Sequence, residues 1–251
     1  MCLILFSWKQ HPKYKLILGA NRDEFLARST QQAHFWENEP TILGGKDLER
    51  GGTWMGLNKA KEFSALTNFR EITTNMPEPN RPSRGFLTSD FLKSEQTPNA
   101  YLEGIHKNSN SYEGFNLLVG DRNKLFHYSN RENKINELES GSFGLSNALL
   151  DTEWPKVELG KSLLSDIIRK EEVETEAIFE MLRNTNAAPD ENLPKTGISQ
   201  EWEKALSPMF IKKGNYGTRC SSVILWDYSD RITFTERTYD LTEPNTVKFG
   251  F

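Results

Sequence analysis

The chain has 251 residues and a formal net charge of −4, so it lacks the basic footprint of a nucleic-acid binder. Hydrophobic residues make up 36% and aromatics 11%, too many for a disordered chain and enough for a sizeable core, and one domain spanning residues 1–251 is expected. Only two cysteines occur, Cys2 and Cys220, so a reducing compartment, by default the cytoplasm, fits better than a disulfide-stapled secreted domain.

In chain order, residues 3–8 and 15–19 are short apolar runs separated by the turn 9–13, which predicts two antiparallel strands. The first run is too short for a signal peptide, and a cleaved organelle presequence would take Cys2 with it. No run approaches the roughly 18 apolar residues of a membrane span, so no integral membrane segment is expected. A strand is predicted near residues 63–68. Residues 75–84, rich in proline, read as an exposed loop leading into a helix around 86–92. Thr97-Pro98 is an N-cap and first-turn pair, with Tyr101, Leu102 and Ile105 following at helical spacing. Residues 115–119 and 124–128 form a hairpin about the turn 120–123. Trp154, Val157, Leu163, Leu164, Ile167 and Ile168 keep a 3.6-residue rhythm, and Ala177, Ile178, Met181 and Leu182 mark a shorter helix. Residues 184–197 read as a second loop, and 222–226 with 231–236 as a last hairpin. No repeat or low-complexity tract interrupts this order. Helices lying between antiparallel hairpins predict an α+β layered fold.

Cys2 is the first candidate for chemistry. Removal of Met1 would place a free α-amine beside its thiol, and such an amine, with a pKa of about 7.7–8.0, can take and return the thiol proton. The alternative is a small hydrophobe that begins a buried strand. Directly after the second strand comes ANRDEF, residues 20–25, where Arg22 can stabilise a neighbouring thiolate and Asp23 can orient an ammonium group. A solvated turn with an internal ion pair would use the same residues. Because Arg22 and Asp23 are adjacent, strand-like alternation directs them to opposite faces, so only one is expected to reach Cys2. The glycine pairs 44–45 and 51–52 suit a pocket rim but lack the lysine and context of a phosphate loop. Asn68, Asn147 and Arg219 each end an apparent strand: an Asn amide can donate to an oxyanion, and Arg can anchor a carboxylate. The histidines show no paired metal-ligand spacing, and no G-x-S-x-G elbow occurs, so neither a metal centre nor a serine elbow is expected. Cys220 reads as a buried strand thiol.

Met1-Cys2, ANRDEF, GGTW at 51–54, LTN at 66–68, GFNL at 114–117, GLSNA at 144–148 with Trp154, YGTR at 216–219 and FTER at 234–237 appear in order over nearly the whole chain. In these blocks the sequence resembles the NRDE-motif family, whose eukaryotic members are called transport and Golgi organisation proteins. The resemblance implies a branch of the amino-terminal-nucleophile (Ntn) hydrolases, with a four-layer αββα sandwich of two mainly antiparallel sheets between helices. It is similar to the choloylglycine hydrolases and penicillin V acylases, which implies Cys2 as nucleophile, Arg22 with Asp23 after the second strand, Asn68 at an oxyanion hole, and Asn147 with Arg219 completing the site. The hydrolases separate the Arg and Asp by three positions, and here they are adjacent. The implied function is hydrolysis of a non-peptide amide of a small molecule, without cofactor or metal. The family also implies an alternative, haem or lipid and acyl-CoA handling, in which the same pocket takes a hydrophobic ligand. A degenerate site serving as an interaction domain is the third reading.

Overall fold

A computed structural model describes residues 2–71, 81–239 and 244–251. Its elements are β1 (Cys2–Trp8), β2 (Tyr14–Phe25), β3 (Thr30–Trp36), β4 (Glu39–Asp47), β5 (Met55–Asn58), β6 (Phe63–Asn68), α1 (Gly85–Lys93), α2 (Pro98–Asn108), β7 (Phe115–Gly120), β8 (Leu125–Ser129), β9 (Lys134–Glu137), β10 (Gly141–Leu145), α3 (Pro155–Ile168), α4 (Thr175–Leu182), α5 (Gln200–Ala205), β11 (Lys212–Lys213), β12 (Tyr216–Asp227), β13 (Ile232–Thr238) and β14 (Asn245–Gly250). The chain divides into two compact units, Met1–Arg28 with Ser140–Phe251, and Ser29–Glu139. Each has its own antiparallel sheet and its own helices, so the α+β class expected from the sequence holds.

In the first unit the strands run β10-β1-β2-β12-β13-β14, with β11 beside β12. Leu3, Leu5, Ile17, Val223 and Leu225 project from one face into a core completed by Val157, Leu164, Ile178, Phe179 and Leu182 of α3 and α4. The helical rhythm read from residue 154 onward is therefore the stripe that covers the sheet. Leu5 lies so close to Gly160 that a Cβ there would fall 2.4 Å from its Cδ1. Ile4, Phe6 and Leu18, on the opposite face by alternation, are also buried. Strands enclosed on both faces read as continuous apolar runs, as β1 does.

In the second unit β3 to β9 follow one another as an up-and-down sheet. Leu66, Phe115, Leu117 and Val119 meet Leu87, Phe91, Tyr101 and Leu102 of α1 and α2. The Thr97 side chain accepts a hydrogen bond from the Ala100 N–H, as its N-cap reading requires. Gly51 and Gly52 have φ of 72° and 75°, and a Cβ on Gly52 would sit 2.4 Å from the Gly85 carbonyl carbon. The pair read as a pocket rim thus lets the chain pass against the start of α1.

Three features differ from the sequence reading. β2 runs to Phe25, so ANRDEF lies within the strand instead of after it. Strands β3, β4, β5, β9, β11 and β14 and helix α5 were not expected; β3, β4, β9 and β14 carry polar residues on exposed positions that blur the alternation, while β5 is only four residues long and buried throughout. Of the loop expected at 75–84, residues 75–80 lie outside the described residues, and 84 leads into α1.

Candidate active site

Three adjacent strands of the first unit, β1, β2 and β12, bring Cys2, Arg22 and Cys220 together. The β1–β2 ladder opposes Cys2 to Arg22, and the β2–β12 ladder opposes Arg22 to Cys220. Directly opposed residues share a face, so the two thiols flank the Arg22 side chain in one row. Between Thr218 and Cys220 the register shifts. This bulge re-aims Arg219 and pairs Thr218 with Asp23.

Cys2 is buried, and burial pushes its thiol pKa up. The Asp23 charge pushes in the same direction, while the Arg22 charge and a hydrogen bond from the Asp23 main-chain N–H pull it back. Of the two side chains, Arg22 is the one on the Cys2 face, as strand alternation requires. Arg22 shares the thiol's face, and Asp23 acts through its backbone and its charge while its side chain turns elsewhere. Its Oδ1 accepts from Thr218 Oγ1 at 2.7 Å, and its carbonyl from the Tyr216 hydroxyl at 3.2 Å. Thr218 Oγ1 in turn accepts from the Ile211 N–H at 2.9 Å. The Asp23 side chain, 1% exposed, is thus held in place by Thr218.

Cys220 differs from Cys2 in kind. Burial, the charge of the buried Glu236 and a hydrogen bond to it hold the Cys220 thiol pKa well above its ordinary value. Ser222 Oγ also donates to Glu236, at 3.3 Å.

Asn147 follows β10 and is fully buried. Ser146 Oγ donates to the Cys2 carbonyl at 3.1 Å and lies 3.4 Å from Asn147 Oδ1. The Ser146 hydroxyl thus lies between the main chain of Cys2 and the Asn147 amide. Arg219 is placed otherwise: its Nη1 donates to the carbonyls of Phe25 at 3.2 Å and Leu26 at 3.0 Å, and to that of Arg28. That nitrogen clamps the turn after β2. Asn68 is the last residue of β6, opposite Phe115, in the second unit. Met1, whose removal the amine chemistry requires, lies outside the described residues.

Asn21 was not singled out by the sequence, although it precedes Arg22. It is fully buried; its Nδ2 donates to the carbonyls of Leu182 at 2.9 Å and Met209 at 2.8 Å, and its Oδ1 accepts from Ser221 Oγ. An amide within the apolar run LILGAN was the available signal. Among the described residues no group of three or more His, Cys, Asp and Glu is arranged to hold a metal ion, and no helix is long and apolar enough to cross a membrane. A cleft of about 520 Å³ in the first unit is lined by Thr185, Glu201, Lys204, Phe210 and Lys212 among others, and by none of the candidate residues.

The family described as Transport and Golgi organisation 2 matches residues 1–241. The chain belongs to that family. It is similar to the mouse protein "Transport and Golgi organization 2 homolog", 34% identical over 279 residues, with 99% of each chain covered. Among solved structures it is similar to penicillin V acylase from Agrobacterium tumefaciens, with a TM-score of 0.56 at 11% identity, covering 99% of this chain and 86% of that one. It is also similar to the C2A mutant of conjugated bile acid hydrolase from Clostridium perfringens, with a TM-score of 0.55 at 12% identity, covering 99% and 92%. These likenesses show the fold, which in this family member is that of the Ntn-hydrolase acylases.

Proposed function

We propose that this protein is an amidohydrolase that cleaves a non-peptide amide of a small molecule, with Cys2 as its nucleophile. The observation that carries the reading is the placement of Cys2. Its thiol starts the central hairpin, shares a face with Arg22 and receives the Asp23 N–H. Burial favours the protonated thiol, and the Arg22 charge and the Asp23 N–H offset part of that rise, so attack requires a base that takes the proton. The fold shared with penicillin V acylase and conjugated bile acid hydrolase supports the same chemistry by analogy.

In this reading Met1 is removed and the α-amine of Cys2 takes the thiol proton. Sγ bonds to the amide carbonyl carbon, giving a tetrahedral oxyanion. Its collapse breaks the C–N bond, the amine leaves with the proton, and a thioester remains on Cys2. Water then adds to the thioester, releases the carboxylic acid and restores the thiol. Arg22 supports the thiolate, Asp23 holds the α-ammonium form when it arises, and the Asn147 amide is the polar group next to Ser146, which holds the Cys2 carbonyl.

The test is a panel of chromogenic anilides with aryl and alkyl acyl groups, assayed with the wild-type protein and with Cys2→Ala. Release of the aniline by the wild type alone supports the reading. Equal release by both proteins, or none across the panel while Cys2 remains open to alkylation, contradicts it.

A further inference from the structure

The β1–β10 ladder closes at Ile4 and Leu145. Beyond that pair the chain leaves the sheet at residue 146, so the Cys2 end of β1 keeps a ladder partner on the β2 side only. On the open side the Cys2 carbonyl accepts a hydrogen bond from the Ser146 hydroxyl at 3.1 Å. Ser146 is itself buried, and its Oγ stands within 3.4 Å of the Asn147 amide oxygen. A hydroxyl carries a single proton, and the shorter contact gives it to Cys2.

We propose that Ser146 is a positioning residue: its hydroxyl replaces the missing ladder bond, holds the nucleophile-bearing end of β1 against the sheet, and sets the spacing between Cys2 and Asn147. The inference rests on Cys2 being the reactive group of the proposed hydrolysis. Strand ends open more easily than strand centres, and a buried carbonyl that loses its donor favours the open form. Without the hydroxyl the first residues of β1 open, the thiol leaves its buried place, and it loses its alignment with Asn147.

The alkylation rate of Cys2 therefore reads out the role of Ser146. Ser146→Ala is expected to speed alkylation of Cys2 by iodoacetamide about tenfold, the size of one net hydrogen bond in a local opening equilibrium. The label is located by peptide mass mapping. Cys220, held by β2 and β13 on either side, serves as the internal reference and keeps its wild-type rate. Ser146→Thr, which retains the hydroxyl, returns Cys2 to the wild-type rate. An unchanged Cys2 rate in Ser146→Ala overturns the proposal. So does a joint rise at Cys2 and Cys220, because that reports general loosening or misfolding. Alkylation needs no substrate turnover, so loss of the hydrolase reading in the anilide assay is seen separately from either result.

Discussion

Cys2 and Arg22 oppose each other across the β1–β2 ladder, and the guanidinium lowers a thiol pKa that burial raises. Arg22→Met removes the charge and keeps most of the apolar stem. Alkylation of Cys2 near pH 8 should then slow severalfold, and the midpoint of its pH–rate curve should move up. A curve unchanged by the substitution would separate Arg22 from the thiol.

The two cysteines should also report on alkaline stability. Burial raises both thiol pKa values from a reference of 9.0, that of Cys220 the more strongly. The folded protein therefore keeps thiol protons that the unfolded chain gives up. Their contribution is full below about pH 9 and is lost as the pH rises above it. Urea midpoints measured between pH 8 and 10.5 should fall, and Cys220→Ala should flatten the fall.

His127 gives the acid counterpart. It is fully buried, and burial pushes its pKa down from 6.5 to about 4. The unfolded chain binds this proton more readily, so stability falls as pH drops from about 6.5 towards 4. The full difference is on the order of 3 kcal/mol. His127 Nε2 lies 3.3 Å from Asn116 Oδ1, and His127→Gln can keep a donor there without titrating. In that variant the slope of stability against pH between 6.5 and 5 should shrink. An undiminished slope would assign the acid sensitivity to other groups.

Asn21→Ala should destabilise the first unit by about 3 kcal/mol. It removes an amide that satisfies the Leu182 and Met209 carbonyls in the interior, and each unmet buried group costs about 1–3 kcal/mol. A urea midpoint shift measures this. A loss below about 1 kcal/mol would mean that water replaces the amide.

Helices α3 and α4 were legible because their apolar stripes serve a single purpose, covering Leu3, Leu5, Ile17 and Val223. The apolar start of β2 was legible for the same reason, and its polar end was not. Asn21, Arg22 and Asp23 look like a turn until their partners are known. These partners, Met209, Cys2 and Thr218, come from distant parts of the chain. Strand β3 was missed because Gln31 and His34 interrupt any alternation, and its pairing with β4 is itself irregular. At the candidate site, residue types marked Cys2, Arg22, Asp23 and Asn147, while the link through Ser146 depends on where β10 leaves the sheet. Arg219 carried the same chemical promise as Arg22, and only the bulge in β12 turns its Nη1 towards the carbonyls after β2.

The central claim, that Cys2 is an amino-terminal nucleophile, is tested most directly by the intact mass of the protein after brief reaction with p-nitrophenyl acetate and acid quench. The account predicts a chain lacking the mass of Met1 and carrying one acetyl group, mapped to Cys2, with no adduct in Cys2→Ala. An acetylated chain that still bears Met1, or an adduct mapped to any other residue, would contradict it.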